Sequence, residues 1–146
     1  MSTRFKVVSL ECDGSEVVIR FTPLIPAKLR ENAEDTHHEE LRNGRVPSRY
    51  GVSVLATHCQ DGETIEDAVA RVCDATSLQG RTVAVVTGTI LRQAGFEVVA
   101  DANDKEPHHH LVGEDPFKAV PRVDELALLL ESGRMKNPAW KKGVAA

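Results

Sequence analysis

The sequence predicts a single α/β or α+β domain, built on a mixed sheet of about five or six strands packed by two or three helices and opened by an N-terminal β-hairpin. Three observations lead there. The runs "VVIRF", "YGVSVLATH", "RTVAVVTG" and "FEVVAD" are rich in β-branched residues, which fit a pleated, buried surface. Between them lie stretches with apolar residues at helical spacing, "DGETIEDAVARVCDA" the plainest. And 146 residues, 41% hydrophobic and 27% charged, are enough for one folded unit with a real core. With aromatics at 4%, that core is Val, Leu, Ile and Ala.

Taken in order, "RFKVVSL" and "EVVIRFTPL" flank "ECDGS", where Asp13-Gly14 supplies a positive-φ turn for the hairpin. "PAKLRENAEDTHHEELRN" follows, with Pro26 suited to a first helical turn and Gly44 to a stop. Its apolar stripe is thin, Leu29, Ala33, His37 and Leu41, so residues 26–49 read as a polar helix or a mobile insertion. After the strand "YGVSVLATH", Thr64 and Asp67 form a capping-box pattern ahead of Ile65, Ala68, Val69 and Val72.

"RTVAVVTG" is continuously apolar, as a strand covered on both faces is. The short helix "TILRQAG", with Thr87 or Thr89 as cap and Gly95 as stop, leads to "FEVVAD". That helix is short for a parallel crossover, which leaves antiparallel pairing open. "HHHLV" is a further strand, and "VPRVDELALLLESG" a last helix with Val123, Leu126, Leu129 and Leu130 on one side. Residues 1–133 make the globular unit and 134–146 a basic tail. The order of these elements resembles that of small bacterial proteins, without a motif that carries a role.

A formal charge of -4 argues against a chain that coats nucleic acid, whose affinity comes from neutralised phosphates. The scarcity of aromatic rings argues against a stacking platform. No apolar run has the length of a membrane span, and "MSTRFKVVSLECDGSE" has no long apolar core. Cys12, Cys59 and Cys73 are odd in number and lack a CxxC pair, which reads as free thiols in a reducing compartment, so the expectation is a soluble cytoplasmic protein.

The chemistry-bearing residues fall into three groups. In "PHHHLVGEDPF", strand alternation puts His108 and His110 on one face and His109 on the other. His108 and His110 are the candidates for acid/base work, or for a divalent metal with His58 and Asp115, with Cys59 and Asp101 as further donors. The structural alternative has His109 partly buried and its neighbours solvated. The segment "RNGRVPSRYG" offers Arg42, Arg45, Ser48, Arg49 and Tyr50 to an anion. At the C-terminus Trp140 stands among Lys141, Lys142 and other cations, a surface for a partner or a seal for the core.

The leading reading is a partner- or ligand-binding protein with an anion-binding basic loop, its partner a protein or an anionic small ligand, RNA included. The alternative is a small phosphoester-processing enzyme, acting on RNA or a nucleotide through histidine or metal chemistry. No nucleotide-binding or nucleophile signature is present: "VVTGTILR" has one glycine, and no serine sits in G-x-S-x-G.

Overall fold

Side chains alternate along a strand, and here most strands are apolar on both sides, so the sheet needs cover on both faces. The computed structural model describes residues 10–21, 24–44, 51–76, 80–101, 107–113 and 123–138. Within these, β1 (Val17–Phe21), β2 (Val52–Thr57), β3 (Thr82–Thr87), β4 (Glu97–Ala100), β5 (His109–Gly113) and β6 (Met135–Lys136) form one sheet in the order β4-β5-β2-β1-β3-β6.

Every ladder is antiparallel, rather than mixed. β3 and β4 run in the same direction but are not neighbours: the connection through the short helix after β3 carries the chain past β1, β2 and β5 between them.

Helices α1 (Pro26–Arg42), α3 (Gly88–Gln93) and α4 (Val123–Glu131) contribute to one hydrophobic cluster and α2 (Ile65–Ala75) to another. The first gathers Val18, Val54, Val86 and Val112 from the strands with Leu29, Leu91, Leu126 and Leu130 from the helices. The second packs Val17, Ile19, Val83 and Val85 against Ile65, Val69 and Val72. One α+β unit with a core on each side of its sheet results.

Local signals hold where they depend on near neighbours. Thr64 accepts from the Asp67 amide, and the Asp67 carboxylate accepts from the Thr64 amide, closing the capping box. Thr87 caps α3 through the Ile90 amide. Gly14, Gly44 and Gly95 have φ of 88°, 77° and 93°, the left-handed turns their places in the sequence require.

Four points of the sequence reading change. Residues 26–42 are a helix packed against α4 and β2, not an insertion. Its inner face is Leu29, Ala33 and Glu40, while Leu41 is exposed, because four-residue spacing drifts around a 3.6-residue helix. Cys12 and Cys59 are joined in a disulfide rather than free, since the fold brings segments 47 residues apart together. The sheet also continues past Gly133: β6 pairs with β3, and the Asn137 side chain donates to the Gly80 carbonyl at 2.8 Å. The first arm of the expected hairpin, residues 4–9, and the tail residues Trp140, Lys141 and Lys142 lie outside the described residues. Among the described residues no helix is long and apolar enough to cross a membrane.

Candidate functional site

Alternation along β5 separates the histidines, as the sequence requires; His109 is partly buried, as the structural alternative has it, but its neighbours are not solvated, since His108 is also partly buried and His110 more deeply so. His110 pairs with Val54 and Ala100 and is buried. Its Nδ1 lies 3.3 Å from the His108 carbonyl oxygen, which also accepts from the Ala56 amide. His109, like His108, is partly exposed. Its Nδ1 meets the Asp101 carboxylate at 3.3 Å, and the Asp101 amide donates to the His109 carbonyl at 3.0 Å. A carboxylate on Nδ1 orients the ring and leaves Nε2 for whatever approaches.

Beside His109 the sheet opens. The β1–β2 ladder runs from Val17↔Thr57 to Ile19↔Leu55 and ends there. On the outer sides the pairing continues, β1 with β3 as far as Phe21↔Val83 and β2 with β5 as far as Val52↔Val112. The next step inward would join Phe21 to Ser53. Side chains take that place: the Ser53 amide donates to Asn32 Oδ1 at 2.6 Å, and Arg20 Nη1 donates to the Ser53 carbonyl oxygen. Both peptide groups are thereby satisfied without closing the strands together, as buried backbone groups must be.

The opening is a cleft of about 260 Å³, lined by Ile19, Arg20, Phe21, Ser53, Leu55, Thr76 and His109 among others. Its walls are mainly apolar, with Ser53, Thr76 and His109 among the lining residues, the usual makeup of a small-ligand site. Phe21 is exposed, an aromatic ring left at the edge of the opening. Burial lowers the pKa of the Arg20 guanidinium, and no other cause acts on it.

At the other end of β1 two arginines, Arg92 and Arg71, are each paired with a carboxylate. Arg92 makes a forked pair with Glu16, 2.7 Å to each carboxylate oxygen, and Glu16 is held below the usual carboxylate range, chiefly by that hydrogen bonding and helped by nearby His58. Arg71 reaches both oxygens of Glu63 at 2.8 and 2.9 Å, the Thr57 hydroxyl and the His58 carbonyl. The Arg71 hydrogen bonds hold the Glu63 carboxyl down to about 2. The disulfide staples the loop after β2 to the segment before β1. Cys73 is the free thiol, and burial pushes it up to about 11, away from nucleophilic chemistry.

The metal set is not assembled: no group of three His, Cys, Asp or Glu side chains that could hold an ion occurs among the described residues. His58 is exposed beside Glu16, His110 is buried, Cys59 is in the disulfide, and Asp115 lies outside the described residues. Arg42 is exposed in the last turn of α1, and Arg45, Ser48, Arg49 and Tyr50 lie outside the described residues. The chain re-enters the sheet at Gly51, against Leu111, while His109 stands toward the start of β5.

Sequence reasoning passed over Arg20, Ser53 and the His109–Asp101 pair. The one signal for Arg20 was a charge inside the apolar run "VVIRF". Comparison with family models, curated proteins and solved structures finds no match to this chain.

Proposed function

We propose that this chain is a non-catalytic binding protein whose ligand is a small, largely apolar molecule seated in the cleft at the β1–β2 opening. The observation that carries the reading is the interrupted ladder: two strands paired on their outer sides part on their inner side, and side chains keep the gap open. At roughly 30 Å³ per water-sized group, about 260 Å³ takes some nine such groups, a compact ligand or the end of a longer one. Burying four or five methylenes at ~0.8 kcal/mol each corresponds to a Kd on the order of 1 mM.

Titration with 1-hexanol, followed by calorimetry and amide NMR shifts, tests this. Saturable binding with shifts at Ile19, Leu55 and His109, abolished by Ser53→Phe, is expected. Shifts confined to other residues, or binding indifferent to Ser53→Phe, would remove the cleft from the reading. The exposed Arg42, with Arg45, Ser48, Arg49 and Tyr50, enters the same proposal as a surface for an acidic partner, and Trp140, Lys141 and Lys142 as an anchor beside it.

One observation favours the second reading, phosphoester hydrolysis: His109 carries a carboxylate on Nδ1, the arrangement that poises Nε2 as a general base. Incubation with p-nitrophenyl phosphate decides. Turnover lost in His109→Gln would replace binding with catalysis; no turnover leaves the binding reading in place.

A further inference from the structure

We infer that the cleft ligand bears a carboxylate head, received by Arg20, with the Ser53 hydroxyl as a further donor. This rests on the binding reading above and names the ligand's chemistry. Three observations carry it.

The first is charge. Arg20 is the last residue but one of β1, lines the cleft, is partly buried, and gives one N–H to the Ser53 carbonyl. Among the described residues no carboxylate pairs with it, whereas Arg71, Arg92 and Arg134 each hold one. A cation drawn out of water needs an anion or a set of acceptors to offset its desolvation. Here one carbonyl oxygen engages a group with five N–H donors.

The second is position. Arg20 lies where the β1–β2 ladder fails, so its guanidinium occupies the gap instead of a backbone pair. The remaining N–H fork has the planar geometry that matches a carboxylate. The third is stoichiometry. One uncompensated cation balances one negative charge, and the Asp101 carboxylate, the acidic group that faces His109, is already bonded to it. A dianionic phosphate would be left with a charge the cleft does not match. A monoanionic carboxylate on a short apolar tail matches the cation and the apolar walls together.

The test compares hexanoate with 1-hexanol at pH 7.5, the same tail with and without the charge. The chain as it stands is expected to bind hexanoate about tenfold more tightly, the lower range for a charge-assisted hydrogen bond, and the Arg20 Nε–H resonance is expected to move with hexanoate alone. In Arg20→Gln the preference should fall to within about twofold while hexanol affinity is kept. If that variant does not fold, Arg20→Lys keeps the charge without the fork and should retain part of the preference; the resonance shift in the unaltered chain stands in either case.

Equal affinity of the unaltered chain for the two probes overturns the carboxylate inference and leaves the cleft as an apolar site. Hexanoate preference without any response at Arg20 also overturns it. Binding of neither probe removes the binding reading itself.

Discussion

The two ends of β1 solve the same problem in opposite ways. At the Val17 end, Cys12–Cys59, the Arg92–Glu16 fork and the Arg71–Glu63 fork tie three segments together, and each guanidinium there is met by a carboxylate. At the Phe21 end the ladder stops, a cleft opens, and Arg20 has a carbonyl for its partner. A neutralised arginine spends its donors inside the protein and holds structure. One without a counter-charge keeps most of its donors uncommitted. The ladder between β1 and β2 is kept at the stapled end and lost at the other.

The largest way to break this contrast is to remove the staple. In the chain-entropy account a link across 47 residues contributes about 4 kcal/mol. Cys12→Ser with Cys59→Ser should approach that loss in urea unfolding, with hexanol binding retained in the remaining folded protein. In the unaltered native protein under mild reduction, iodoacetamide should label Cys12 and Cys59 before the buried Cys73.

Next comes the Arg92 fork. Arg92→Met leaves Glu16, 13% exposed, without its cation and should cost ~1–2 kcal/mol, less than a fully buried pair because Arg92 itself is 43% exposed. Gly88→Ala should act through the same pair, since a Cβ there would lie 2.2 Å from Glu16 Oε1.

Acid sharpens the comparison at the stapled end alone. Glu63 titrates near 2 when folded and near 4.5 when free, so between those values the unfolded chain binds the extra proton. Its contribution is full above pH 4.5 and is lost as pH falls toward 2. Thermal unfolding across that window should show a steeper pH dependence for the unaltered chain than for Glu63→Gln.

The smallest effect on stability belongs to the open end. Phe21 is 54% exposed, so Phe21→Ser should stay within ~0.5 kcal/mol in urea unfolding. Hexanol affinity should nevertheless drop severalfold, which would separate a residue kept for binding from one kept for folding.

Much of the framework was legible because its causes are local. Thr64 and Asp67 cap the α2 turn that follows them, and alternation along "HHHLV" divides the histidines whatever β5 pairs with. The candidate site was not legible. His108 and His110 drew attention by residue type, while His109 gained its role from Asp101, on the far side of a turn. The α1 stripe was misread at Leu41 for want of a partner: only the packing of α1 against α4 and β2 selects Glu40 as the inward residue.

The sequence by itself determined where most strands and helices form, α1 and β6 excepted, which turns need glycine, and that the core is aliphatic, because each follows from residues within a few positions of one another. Only the tertiary structure decided that Cys12 meets Cys59, that β1 parts from β2 after Ile19, and that Arg20 lies against Ser53 with no carboxylate from the described residues. Those contacts close loops of 47 and 33 residues, and their existence depends on strand order and register, which no local pattern encodes.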